Sequence, residues 1–250
     1  LAHERNSQIL FRVLAFVSIL LLPGAEYFFP SSSSEVPLIL RYTAFTGIIP
    51  LFVGLWFGKS LSLEFKLLLT LIAMAVVVEA ISVVLSAHKW NNYWPFNIYT
   101  LFEFGLLMLI FALWQNRPKW RYFIAFSVPA FVVVWVLVKV INPERDPRFD
   151  SYAATFESVV LVAVSVLTLI RLTSEDIMGI FRNPRFWVVS AVMIYFSGNL
   201  IIFALANVIL SGDYSELDLI WSIHSMLGVT ANLIYAYSFY SEHRRWTLSH

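Results

Sequence analysis

Residues 63–87 read LEFKLLLTLIAMAVVVEAISVVLSA. After Lys66 this run carries no charge until Glu79 and holds neither Gly nor Pro, so it suits one continuous helix. A bilayer-spanning helix needs roughly 20 mostly apolar residues, and the run exceeds that. Glu79 is then an ionisable group inside the bilayer, where each such group costs on the order of 2.5 kcal/mol or more and asks for a partner or a purpose.

Working outward, seven further stretches have the same character: residues 9–29, 36–57, 96–114, 120–141, 152–172, 186–210 and 217–240. The breaks between them carry turn chemistry, among them Ser31 to Ser34, Gly58-Lys59-Ser60, Asn91-Asn92, Asn116-Arg117-Pro118, Asn142-Pro143, Asn183-Pro184 and Ser211-Gly212-Asp213. The expected fold is all-α, a polytopic transmembrane helical bundle of eight spans. One leading helix and a Ser-rich connector occupy residues 1–35, a seven-helix core residues 36–240, and a cytoplasmic tail residues 241–250. Composition agrees: 59% of residues are hydrophobic and 13% charged, and mean hydropathy is +0.75, more apolar than one soluble core requires. A cleaved signal sequence over residues 5–24 is the competing reading of the first segment, but no small-x-small cleavage site follows it. Residues 173–185 are expected to form a short interfacial helix.

Orientation follows the Lys and Arg residues, which cytoplasmic loops retain. With the N-terminus inside, the inner side collects Arg5, Arg12, Lys59, Lys66, Arg117, Lys119, Arg121, Arg171, Arg182, Arg185, Arg244 and Arg245, and the outer loops are acidic or neutral. Both termini are therefore expected inside, in a multi-pass protein of the cell inner membrane. The net charge of +1 offers no field for nucleic acid. With no cysteine, disulfides, thiolate metal sites and thiol nucleophiles are excluded.

Counting inward at about 1.5 Å per residue places Glu79, Glu103, Glu157 and His224 at one depth, roughly 8 to 12 Å below the outer boundary. Asn97, Tyr99 and Thr100 line the approach to Glu103, and Arg41 enters at a similar level. Tyr195 and Asn199 are spaced i, i+4, and His224, Gly228 and Asn232 i, i+4, i+8, so each set shares a helix face. The candidate ligand-binding residues are thus Glu79, Asn97, Tyr99, Glu103, Glu157, Asn199, His224 and Asn232. The plain alternative is that the acids only fix helix register, since polar groups commonly act as glue between membrane helices. The last segment has no lysine for a retinal Schiff base, and nucleophile-elbow, P-loop and dinucleotide fingerprints are absent.

The stretch Asn91-Asn92-Tyr93-Trp94 with Asn97, Tyr99 and Glu103, together with Phe186-Trp187 and Tyr195-Phe196-Ser197-Gly198 in the penultimate segment, resembles the seven-helix membrane sensor regions found at the N-termini of some bacterial histidine kinases and as stand-alone bacterial proteins. The resemblance covers about residues 36–240. It implies signal reception through the membrane domain and carries over no catalytic residue. The expected function is a receptor-like or sensor-like domain that binds a small molecule or ion in an outward-facing polar pocket. Its expected partners are membrane lipid and a separate cytoplasmic signalling protein. The rivals are a proton- or ion-coupled transporter, an intramembrane metal-dependent enzyme acting on lipid, and an assembly subunit of a larger complex. No cofactor or metal is specified by the sequence.

Overall fold

A computed structural model of the chain describes residues 45–91, 93–141, 151–175, 179–210 and 217–249. Among these are seven α-helices and no strand: α1 (Ile48–Trp56), α2 (Leu63–Ala87), α3 (Tyr93–Trp114), α4 (Pro118–Ile141), α5 (Ser151–Glu175), α6 (Pro184–Leu210) and α7 (Leu217–Ser249). Single 3-10 turns follow at Gly58–Ser60 and Ile180–Arg182. The predicted leading segment, the Ser31 to Ser34 connector and Arg41 lie outside the described residues. Five helices, α2 to α6, are long and apolar enough to cross a membrane.

The helix ends follow local chemistry. Pro118 and Pro184 each occupy a first helical position, where the missing N–H costs nothing. Asn183 caps α6, its Oδ1 accepting from the Arg185 N–H at 3.1 Å. After α2 the chain turns through Lys89, which has φ 58°. The Lys89 N–H donates to the Ser86 carbonyl and the Trp90 N–H to that of Leu85, both at 2.9 Å. This is the Schellman closure, with a side chain where glycine is usual.

Each helix packs on the next in sequence, and α7 packs back on α1, so the seven form a closed ring. α3 also reaches across to α5. Phe65, Phe104, Leu107, Phe111, Leu161, Val192 and Phe239 fill the interior. α4 is the outlier, with Tyr122, Phe123, Phe126, Val133, Leu137 and Val140 all exposed. It is pinned chiefly through Phe131, which stacks on Phe104 at 4.2 Å and on Phe156 at 6.0 Å. Bare aliphatic surface on this scale is costly in water and costless in hydrocarbon, in keeping with a membrane protein. Close approach of α1 to α2 and α7 depends on Gly54, where a Cβ would lie 2.5 Å from Leu69 Cδ1 and 3.2 Å from Phe239.

Two expectations change. Of the 173–185 stretch, α5 takes the residues to Glu175, Ile180–Arg182 form a 3-10 turn and α6 begins at Pro184, while residues 176–178 lie outside the described residues. Residues 241–249, expected as a tail, continue α7. They stay ordered because His243 stacks on Phe57 at 4.3 Å and its Nδ1 pairs with Ser60 Oγ at 2.8 Å.

The left-handed residue yields a direct test. Lys89→Gly should raise stability by about 1 kcal/mol, because glycine adopts this backbone conformation without the Cβ penalty. Thermal unfolding of the detergent-solubilised chain reads this out, and a loss of stability would contradict the assigned turn.

Candidate functional site

The polar residues singled out by the sequence fall into one cluster and several structural ties. On α3, the Tyr99 hydroxyl donates to Glu103 Oε1 at 3.2 Å, one turn along the same face. Across the α3–α5 contact, Glu157 lies within electrostatic reach of Glu103. Glu157 is only 3% exposed, and its Oε1 has no hydrogen-bond partner. From α6, Tyr195 lies within electrostatic reach of Glu103, Glu79 and Glu157, and of Tyr235 on α7. Tyr235 in turn shares the field of Glu103. Three acids and three tyrosines from five helices are thus linked through one another's fields, though among the described residues no three acids or histidines close on one point.

His224 is tied beside this cluster. Its Nδ1 pairs with Asn199 Oδ1 at 2.7 Å, so the amide oxygen accepts and Nδ1 carries the proton. The imidazole centroid lies 6.0 Å from that of Tyr195. Asn199 is fully buried, and its Nδ2 is left without an acceptor. Asn232 ties helices together instead, donating from Nδ2 to Thr46 Oγ1 at 2.9 Å. Asn97 lends its backbone carbonyl to Trp135 Nε1 at 3.2 Å. Thr100, though buried, back-bonds to the Phe96 carbonyl at 3.0 Å.

Tyr235 was not among the sequence candidates. Depth counted from the loops gives the place to His224, eleven residues earlier on α7. Tyr235 continues the face of Asn232 at i+3, the one sequence signal that leads to it.

A second polar group lies at the opposite end of the bundle. Arg171 Nη1 donates to the Trp114 carbonyl at 2.8 Å and to Gln115 Oε1 at 3.0 Å, and the same guanidinium holds Glu175 at 2.9 Å. Arg185 sits 5.8 Å over the Trp114 ring and 3.8 Å from Glu64. Arg245 sits 3.1 Å from Glu242 Oε2. The described Lys and Arg residues lie in the turns or toward the helix ends, and among the described residues no salt bridge reaches the acid cluster.

Among the described residues, no group of three or more His, Asp or Glu has an arrangement that could hold a metal ion. Comparison with protein-family models, curated proteins and solved structures found no match.

A buried carboxylate that served only as glue would have its oxygens paired. Glu157→Gln keeps the volume and removes the charge. It should leave the melting temperature unchanged or raise it by a few degrees at neutral pH, by differential scanning fluorimetry of the solubilised chain. A fall of several degrees would identify the carboxylate as a structural tie.

Proposed function

We propose that this chain is a receptor-like domain of the inner membrane, related in kind to the seven-helix sensor regions of bacterial histidine kinases. In this reading it spans the membrane eight times with both termini inside, and it binds a small molecule or ion in a polar pocket open toward the outer face. The observation that carries the proposal is Glu157: nearly wholly buried, opposite a second acid, and with one oxygen unpaired. A buried carboxyl oxygen without a partner calls for a hydrogen-bonding group, and a bound ligand would supply one.

The same two helices offer a route for a signal. α3 carries Glu103 at its middle and the Trp114–Gln115 acceptors at its end. α5 carries Glu157 near one end and Arg171 at the other. A ligand that draws the acids together biases the relative position of α3 and α5, and the Arg171 clasp is where that bias reaches the turns at 115–117 and 180–183. A separate cytoplasmic protein reads those turns.

One observation favours transport as a second reading. Ser165, Thr168 and Ser238 are buried between the acid cluster and the opposite end, where Glu242 is buried too, so polar side chains continue through the bundle. A metal-dependent reaction draws no such support, since the described carboxylates and histidines do not converge as a ligand set.

The chain has no cysteine, so single-cysteine reporters need no background removal. In intact cells a membrane-impermeant maleimide should label Tyr99→Cys and spare Gln115→Cys. Labelling of Gln115→Cys alone would invert the orientation, and protection of Tyr99→Cys would close the proposed pocket to the outside. Proton flux in liposomes, absent for a receptor, separates the second reading.

A further inference from the structure

We infer that the bare face of α4 binds an anionic phospholipid, its phosphate against Arg117, Lys119 and Arg121 and its acyl chain running along the helix toward Val133. The inference is independent of the acid cluster and needs only that α4 spans the membrane.

The side of α4 that the bundle covers fixes the side it leaves bare. Ile124 and Phe131 share one face at i and i+7 and are 4% and 1% exposed, and Phe131 is the ring stacked on Phe104 and Phe156. At about 100° per residue, the opposite face is made by Lys119, Tyr122, Phe126, Val133, Leu137 and Val140. All six are exposed, Tyr122 and Phe126 the most, at 75% and 72%.

The order of side chains along that face follows the layers of a phospholipid. Cations stand first, at Arg117, Lys119 and Arg121. The rings of Tyr122 and Phe126 follow, about 4.5 and 10 Å of helical rise beyond Lys119, and the face is aliphatic from Val133 to Val140. A phospholipid presents phosphate, then the interfacial glycerol level that aromatic side chains favour, then hydrocarbon. Val133 lies about 21 Å of rise from Lys119, so one headgroup and one leaflet, half of a core about 30 Å thick, fit between them.

Charge selects the headgroup. From Gln115 to Ile141 the chain holds Arg117, Lys119, Arg121 and Lys139 and no acid. Arg117, Lys119 and Arg121 are exposed within five residues, so their fields add. At the same end of the bundle Arg171, Arg185 and Arg245 each face a glutamate. An anionic headgroup complements the three α4 cations, whereas the ammonium of a zwitterionic one is repelled by them. A second copy of the chain would also cover the apolar face. A two-fold dimer through α4 within one membrane, however, brings two such basic turns to the same end, where like charges oppose it.

The test is quenching by brominated lipid. Phe126→Cys introduces the only thiol of the chain and carries a bimane fluorophore. The full chain is reconstituted in dioleoylphosphatidylcholine bilayers, and brominated phosphatidylglycerol or brominated phosphatidylcholine is added in rising proportion. The phosphatidylglycerol fraction that halves the fluorescence should be about fivefold lower than the phosphatidylcholine fraction, the effect of one cation near a membrane surface. Changing Arg117, Lys119 and Arg121 together to Gln should make the two fractions equal. With those three residues intact, 1 M sodium chloride should narrow the gap. The same fluorophore at Leu233→Cys, on the exposed side of α7, which packs on α1 and α6, should show no preference. Equal preference at both positions would reduce the effect to general surface charge and overturn the inference. So would a preference that persists in the triple variant or is unmoved by salt. Failure of either lipid to quench at Phe126→Cys would show the face covered by protein, a second copy of the chain, and would also overturn it.

Discussion

Hydrocarbon offers no hydrogen-bond partner, so every polar group in a membrane-embedded bundle is satisfied from within the protein or not at all. Many of the described hydroxyls meet that constraint locally. Thr70, Thr100, Ser158, Thr168, Thr173, Ser174 and Thr230 each donate to the carbonyl one turn back in their own helix, and Ser127 and Ser238 to the carbonyl three residues back. Such back-bonds remove a polar burden and tie nothing to a neighbouring helix. Against that background the few groups that do not solve the problem at home define the places where the bundle has polar work to do.

Those groups separate by depth. Glu157 and Asn199 leave orphan atoms beside the tyrosine cluster, and Trp114 Nε1 leaves one at the far end near Arg185, with Ser165 Oγ between. The two ends differ in kind. At the far end guanidinium groups outreach their acids and knit α2, α3, α5, α6 and the end of α7 into one network. At the acid end carboxyl groups gather among tyrosines, and among the described residues no salt bridge with Lys or Arg reaches them.

How much of this was legible in the sequence varied with the physics involved. Length of apolar run is a one-dimensional property, so the segments from 63–87 to 217–240 recur as α2 to α7 with ends moved by a few residues. Where an end moved further, a tertiary contact moved it: polarity predicts a tail after Tyr240, but Phe57 and Ser60 give His243 a place to pack, and α7 runs on. Depth is also nearly one-dimensional, and it brought Glu103, Glu157 and Tyr99 to one level. On α7 that count misses, because His224 and Tyr235 share one helix face about 16 Å apart, and how far α7 slides along its neighbours decides which of them lies level with the acids. Loop counting favours His224, but it is Tyr235 that shares the field of Glu103. Arg171 looks from sequence like an ordinary boundary residue, because its partners lie 56 and 57 positions away.

α3 is the one helix that takes part in everything described. It packs on α2 and α4 as a member of the ring and crosses to α5 as well. It brings Tyr99 and Glu103 to the acid cluster, Phe104 to the aromatic stack that holds α4, and the Trp114 carbonyl to Arg171. An α-helix is stiff over its 22 residues, so a small displacement at Glu103 is carried to Trp114, eleven residues or about 16 Å away, with little loss. α5 is its natural counterpart, since it holds the second acid and the clasping arginine at a similar separation. On the proposed reading, a ligand bound at the acids would shift these two rods against each other, and the Arg171 clasp is where the shift would reach the turns.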